Sequence, residues 1–546
     1  MQEFVKYFDN FWQDKPGLRQ VCLWGSIFFT LTLILALNRY FSFYTTFDHG
    51  LFNQLFWNSI RGNLFQGSLS SVQSNASLVG GEIPTESYIH LGQHFVINFF
   101  LWMPLYSLFP SPITLIVLQV GLITAAGVVL YALARHYLSV PIALAITASY
   151  YGANAVIGPT LDNFYEQCQL PLFIFSLLLA LEKRKYWLFW LLFALTLFIR
   201  EETGIALFGI GAYLVISRRY VRLGLAVCLL SFLYVSVVTN VIMQLFSDDN
   251  SKLYLATYFE KFVDKENPTT LELLVAILTR PHLIFQAIFK RFDRLLKYLL
   301  GLWLPLGFIP VVSGAAWIIT APPLLVNSIQ NNFDSISINA RYVLAIIPGL
   351  FYGSILWWAK YSEKFKPRWR QIWKGCIILS LIFTITSNPH KALYFLIPDS
   401  IQPWVYVSFT HQLSHANNLR NLMQNIPNDA SISTTTYAIP HLSSRRRIVR
   451  LPMLQIRDKE NKITDVDYAL VDMWQLQQHK LVGAKDTRRL KAMVPIIDRI
   501  LQEKSYGIIN FKDNILLFQK NQPSQPEALS NWWQLREELK PIWEKN

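Results

Sequence analysis

From Val21 to about residue 388 the chain is a succession of apolar runs, several of them long enough to cross a bilayer, parted mostly by short charged stretches. A helix needs roughly 20 apolar residues to span hydrocarbon, and only helices and closed barrels satisfy their own backbone there. The runs are continuous and do not alternate, so the chain reads as a mainly α, polytopic membrane protein. Composition agrees: 52% of the 546 residues are hydrophobic and 15% charged, where soluble proteins carry about 25%. The net charge of +14 is no nucleic-acid footprint, because Lys and Arg beside apolar spans are what membrane topology requires. Membrane lipids, and no nucleic acid, are the expected surroundings. Cys22, Cys168, Cys228 and Cys376 show no CxxC spacing, which leaves neither a disulfide framework nor a thiolate metal site.

The first run has no small-residue cleavage site after it and reads as a retained helix. Further apolar runs lie at about 112–134, 138–157, 167–182, 186–200, 203–217, 222–245, 297–309, 311–328, 341–359 and 371–388. Residues 89–110 are apolar enough to cross but contain His90, His94 and Pro104. If they do not cross, Arg135, Lys183 to Lys185, Arg218, Arg219, Arg222 and the cations of 360–374 share one side with Lys15 and Arg19. The segment is therefore expected to be juxtamembrane or re-entrant. That gives eleven transmembrane helices, an inner N-terminus, and a membrane domain over 1–388 with outer loops 40–111 and 246–296. Residues 389–546 are more polar. Strand-like runs at 430–440, 447–452, 466–474 and 506–520, with a helical pattern at 485–504, predict a C-terminal extracytoplasmic α/β domain.

Ionisable residues beside lipid are costly and are functional candidates by default. Asp48 and His49 open FDHGLFNQLFWNSIRG, whose apolar stripe suits an interfacial helix; the bland reading of Asp48 is an N-cap. Asp162 and Glu166 are four apart and on a helix would share a face, although a short loop also needs charge to stay in water. Arg200, Glu201 and Glu202 interrupt apolar sequence almost without a break, which predicts a buried ion pair or a cavity wall. Arg341 and Tyr342 sit at an outer helix end, where arginine opposes the positive-inside trend and phosphate binding explains it. His90 and His94 would present two imidazoles on one face if helical, and Arg445 to Arg447 read as a solvated charge run. No Walker A, GxGxxG or GxSxG motif occurs in a useful context.

The segments FDHGLFNQLFWNSIRG at 47–62, DNFYEQCQLPLF at 162–173, REETG at 200–204 and DASISTTTYAIPHLSSRRRIVRLP at 429–452 resemble the bacterial DUF2079 membrane proteins. That group is distantly similar to GT-C glycosyltransferases, which take a sugar from a polyprenyl-phosphate carrier. The resemblance implies a GT-C-like fold in the bacterial inner (plasma) membrane and transfer of a polyprenyl-phosphate-linked sugar to an envelope acceptor. It places Asp48, Asp162 and Glu166 as catalytic carboxylates, which also form the expected set for a divalent metal such as Mg2+ or Mn2+. His49, His94, Arg200, Glu201, Glu202, Arg341 and Tyr342 become substrate-binding residues. The chain departs from the group's pattern where a His-Pro-Glu-like string stands as Phe164, Tyr165 and Glu166, a Lys-Glu-Asp as Arg200, Glu201 and Glu202, and a His-Tyr pair as Arg341 and Tyr342. A lipid or solute transporter and a non-catalytic envelope assembly protein stand as alternatives.

Overall fold

The computed structural model describes residues 15–247, 257–263, 268–402, 404–479 and 484–543. The N-terminal fourteen residues and part of the expected loop 246–296 lie outside them. The chain forms two compact units. The first comprises residues 1–36, 91–102 and 116–390, and the second 37–90, 103–115 and 391–546. A single cut at 388/389 was expected; in the structure, residues 37–90 and 103–115 pack with the C-terminal part.

The first unit is helical and holds most of α1 (Lys15–Phe41) and α2 (Pro112–Tyr137), with α3 (Val140–Tyr151), α4 (Asn154–Thr160), α5 (Leu170–Glu182), α6 (Tyr186–Leu197), α7 (Thr203–Ile216), α8 (Val221–Val237), α9 (Gly314–Ile329), α10 (Ile347–Lys360) and α11 (Pro367–Ser387). Among the described residues, four helical stretches, Pro16–Phe41, Pro112–Tyr137, Val221–Leu245 and Arg341–Lys360, are long and apolar enough to cross a membrane. Counting each of two bent pairs as one span raises the number to six: α3 with α4 at 44°, and Thr270–Thr279 with Pro281–Lys290 at 87°. The second pair falls inside the expected outer loop. Residues 89–110 break into short pieces, the longest the six-residue helix Met103–Leu108, too short to cross.

Leu225, Leu229, Leu233 and Val237, at steps of four on α8, are 44–58% exposed, an apolar stripe that belongs in lipid. Small residues set the interior packing. A Cβ on Gly209 of α7 would clash with the Ile319 carbonyl of α9, and one on Gly353 of α10 would clash with Ala316, also of α9. Glycine at these two positions lets α9 lie close between its neighbours, the packing mode that membranes favour. At the cation-rich ends, Arg219 holds the Glu182 carboxylate at 2.9 and 2.5 Å while the Tyr352 hydroxyl donates to it at 2.5 Å, tying α5, α10 and the α7–α8 turn together.

The second unit carries a five-stranded mixed sheet of β1 (Ile432–Thr434), β2 (Ile448–Arg450), β3 (Tyr468–Asp472), β4 (Tyr506–Lys512) and β5 (Ile515–Lys520), in the order β2-β1-β3-β5-β4. Strand β1 runs parallel to β2 and β3, and β5 antiparallel to β3 and β4. The β4–β5 hairpin turns at Asp513 and Asn514, both at positive φ, the conformation these two residue types tolerate best outside glycine. Helices α12 (Phe409–Met423), α13 (Ala484–Gln502) and α14 (Pro526–Trp543) complete the unit. The strand-like runs and the helical pattern seen in the sequence thus become one α/β unit. Its rim comes from the helix Phe47–Ser59 and residues 68–72, where Gln54 donates to the Arg445 and Arg446 carbonyls and Ser68 donates to the Ile448 carbonyl. The arginine triplet is accordingly no solvated run. Arg445 is buried and donates to the Leu442 and Ala430 carbonyls at 2.9 Å.

Candidate functional site

In the first unit, the loops joining α4 to α5 and α6 to α7 bring the expected acidic residues around one guanidinium. Arg200 is fully buried. Its Nη1 donates to Glu166 Oε1 at 2.5 Å, its Nη2 to His94 Nε2 at 3.0 Å, and its Nε stands 3.4 Å from both Glu201 Oε1 and Glu202 Oε1. Arginine has only donors, so His94 accepts on Nε2, carries its hydrogen on Nδ1, and donates it to Glu201 Oε1 at 2.9 Å. The Phe95 N–H fills Glu201 Oε2 at 2.9 Å. Burial by itself would raise the Glu201 carboxyl, but His94, Arg200 and the Phe95 N–H draw it below the usual carboxylate range. Burial works against the Arg200 charge too; Glu202, Glu166 and Glu201 outweigh it and hold that guanidinium well above its ordinary range. The three adjacent charges of REETG are thus a buried ion cluster, as their setting in apolar sequence predicts. Arg200 thus engages Glu166 and His94 directly, with Glu201 and Glu202 beside its Nε.

One buried carboxylate oxygen of the cluster is left over. Glu166 Oε2 is buried and accepts no hydrogen bond from the described residues, although Oε1 of the same carboxylate is held by Arg200. A buried polar atom without a partner costs about 1–3 kcal/mol, so a donor from water or a ligand would be favoured there. Glu202, a third exposed and reached by Gln167 at 3.4 Å, is the most accessible carboxylate of the cluster.

Asp162 and Glu166 do not share a helical face, because residues 161–165 form a loop that separates them. Asp162 faces His390 at 3.2 Å and caps the Asn163 N–H at 2.7 Å, while His390 Nε2 donates to the Asn339 carbonyl at 2.8 Å. The Arg341 guanidinium stacks on Tyr165 at 4.0 Å and on Tyr342 at 4.9 Å, and its charge is felt at Arg200. Gly158 permits this layout: a Cβ there would come within 2.7 Å of Asn339, so glycine lets the 339–342 segment rest on α4.

Three residues that hold the loops were not singled out from the sequence. Gln119 of α2 donates to the Pro159 carbonyl at 3.1 Å and to those of Thr160 and Asp162 at 3.3 Å, and accepts from the Tyr165 N–H at 3.1 Å. Gln169 accepts from Asn98 at 3.1 Å and from Trp102 at 2.7 Å, and donates to the Glu166 carbonyl at 3.1 Å. Their signal was present: Gln119 and Asn98 are polar residues inside apolar runs, where an unsatisfied amide is expensive.

Asp48 and His49 belong to the second unit. Thr46 occupies the N-cap of the helix Phe47–Ser59, and Asp48 sits in its first turn, half-buried, accepting from Gln73 at 3.2 Å. His49 is fully buried with its Nε2 donating to the Pro112 carbonyl at 3.1 Å; burial, then Arg39, lowers its pKa to about 3. His90 lies in the second unit against Ser70 at 3.0 Å and His94 in the first, and the chain between them is not one helix, so their spacing makes no shared face. Among the described residues no three His, Cys, Asp or Glu side chains gather as a metal-ion cage. Within the first unit, Asp162 is engaged by His390 and Glu166 by Arg200, so these two expected ligands do not fit a shared metal.

Lipid-facing helices with a buried ion cluster in the loops between them define a helical membrane protein with a polar site at the helix ends. The chain belongs to the family described as "Predicted membrane protein (DUF2079)", which matches residues 39–517. No curated protein sequence matches it. Among solved structures, ArnT from Cupriavidus metallidurans, in a crystal structure bound to undecaprenyl phosphate, is similar at 10% identity and a TM-score of 0.47, covering 91% of this chain and 97% of that chain.

Proposed function

We propose that the protein is a glycosyltransferase of the bacterial inner membrane that moves a sugar from a polyprenyl-phosphate carrier to an acceptor hydroxyl on the extracytoplasmic side. The observation that carries this reading is the unfilled Glu166 Oε2 beside an Arg200-centred cluster, with Arg341 close by. Transfer needs a carboxylate to take the proton of the attacking hydroxyl and a cation to receive the departing phosphate. Arg200 holds Glu166 through Oε1, which leaves Oε2 to accept the acceptor's proton. The acceptor oxygen forms its bond to the anomeric carbon as the carbon–oxygen bond to the carrier phosphate breaks, and that phosphate leaves with the electron pair. Arg341, stacked on Tyr165 and Tyr342 and opposing the positive-inside trend, stabilises the leaving group. No step is assigned to a divalent metal.

Asp48 is the second carboxylate of the proposal. It is half-buried in the first turn of its helix, and its role as base is what the family resemblance implies. Turnover of a polyprenyl-phosphate sugar by the full-length protein in liposomes decides between the two. A fall of about 100- to 10,000-fold is expected in folded Glu166→Gln. Loss of a helix-terminus charge at Asp48→Asn costs only about 0.3–1 kcal/mol of stability, so a rate loss of the larger size there moves the base role to Asp48. The sidedness belongs to the same proposal, with eleven crossings and the second unit outside: reporters fused at Lys364 and Ser387 should lie in opposite compartments. Saturable, substrate-specific uptake into sealed liposomes without sugar transfer overturns the enzyme reading in favour of a transporter.

A further inference from the structure

At the cation-rich ends of α1, α3 and α11, all in the first unit, the helices part to leave a groove of about 590 Å³, within the roughly 300–1,000 Å³ typical of ligand sites. We propose that this groove is a binding site for one anionic diacyl phospholipid, distinct from the loop site and independent of the activity proposed for it.

The lining is polar at one end only. Arg370 and Lys374 are four apart on the first two turns of α11 and therefore project side by side, and Gln20 of α1 joins them. Both cations are exposed, and no carboxylate among the described residues pairs with either. Beyond them the walls are apolar: Trp24, Leu144, Ala148, Ile377 and Ile378. From Arg370 to Ile378 is eight residues, roughly 12 Å along a helix. One leaflet of hydrocarbon is roughly 15 Å deep, so the gradient from charge to apolar wall follows the long axis of a lipid in a single leaflet. A free phosphate ion would satisfy only the mouth and leave the apolar length empty; a phospholipid fills both.

The groove is built into the fold. Its floor is Trp373, whose indole N–H is shared between Ser149 Oγ at 2.9 Å and the Pro305 carbonyl at 3.0 Å, and whose ring stacks on Trp358 at 5.4 Å and 7°. A ring fixed on both its edge and its face cannot swing in to close the space. Pro141, Ala145 and Ala148 on the α3 wall are too short to fill it. The Lys and Arg clusters put this end in the cytoplasmic leaflet, and two cations at headgroup level select a lipid with net negative charge over a zwitterionic one.

The test is competitive lipid retention by the full-length, delipidated protein. Native mass spectrometry is run with phosphatidylglycerol and phosphatidylcholine of identical chains. The wild type is expected to keep one phosphatidylglycerol with about 30-fold preference, the factor supplied by two cations near the headgroup. Arg370→Gln with Lys374→Gln should bring that preference to near unity. Arg218→Gln with Arg222→Gln, which removes two cations elsewhere at the same helix ends, should leave it unchanged. Ala145→Trp keeps both cations but fills the groove and should abolish retention, which keeps the proposal testable if the double variant folds poorly. Equal retention of the two lipids by the wild type, undiminished preference in the Arg370/Lys374 variant, or undiminished retention in Ala145→Trp overturns it.

Discussion

Each unit buries a cluster of opposite charges, and the two differ in whether every buried atom of the charged side chains has a partner among the described residues. In the second unit His415 of α12 is fully buried between two carboxylates. Its Nδ1 lies 2.7 Å from Asp513 Oδ2, its Nε2 lies 3.1 Å from Asp472 Oδ2, and its ring stacks on Trp474 at 4.1 Å. Asp472 Oδ1 is taken by the Gln475 N–H at 3.0 Å, and Asn418 adds a bond to Asp513 at 3.3 Å. An imidazolium with both N–H groups on carboxylates is complete, and it joins α12 to β3 and to the β4–β5 turn. The first-unit cluster around Arg200 has the same ingredients and ends on a carboxylate oxygen with nothing to accept. A satisfied buried cluster serves the architecture, whereas a nearly satisfied one keeps a specific vacancy at a fixed place.

The strongest way to break this contrast is Glu166→Gln. The amide keeps the size of the side chain and removes the proton-accepting oxygen; unchanged turnover in a folded protein would make the vacancy a packing accident. Next in size is Arg200→Met. It strips compensation from Glu166, Glu201 and Glu202 together, and thermal unfolding in detergent should show a loss of about 3–5 kcal/mol. Arg200→Lys should recover only part of it, since an ammonium cannot reach Glu166, Glu201, Glu202 and His94 from fixed directions at once.

The second-unit cluster has a pH signature. Burial lowers the His415 pKa, but Asp472 and then Asp513 outweigh it and raise it from 6.5 to about 9. A raised folded-state value means that the stabilisation is complete below about pH 6.5 and is lost as pH rises through about 9, a change on the order of 3 kcal/mol. Asp513 is lowered, chiefly by its hydrogen bond to His415 against the effect of burial, so its own contribution is present at neutral pH and fades only in acid. Unfolding of the second unit followed by tryptophan fluorescence from pH 5 to 10 should therefore decline on the alkaline side, and His415→Gln should flatten that decline. A flat wild-type profile would remove the clamp. The smallest effect is expected for Gln119→Ala: about 1–3 kcal/mol from lost bonds to the 159–165 loop, seen as faster hydrogen exchange at Tyr165 with the helices undisturbed.

Much of this protein is written in periodicity and composition. Apolar runs with charges only between them define a helical membrane protein, because no other structure satisfies a backbone in lipid except a closed barrel, which needs alternation. The strand-like runs after residue 430 and the helical pattern at 485–504 likewise define an α/β unit, since those patterns are local. Cost arguments marked Arg200, Glu201, Glu202 and Glu166 as well, because charges in apolar sequence must find one another. What the sequence could not show is which groups meet. Residues 37–90 join a unit more than 300 positions away, and Arg445 is buried where a run of three arginines looked solvated. His94 reaches Glu201 across more than a hundred residues, Asp162 turns to His390, and Gln119 fastens a loop some forty residues on. Such pairings depend on how helices and loops pack, and sequence separation carries no information about distance once the chain is folded. The tertiary structure alone decided that Arg200 meets three carboxylates and His94, and that one oxygen of Glu166 has no donor among the described residues.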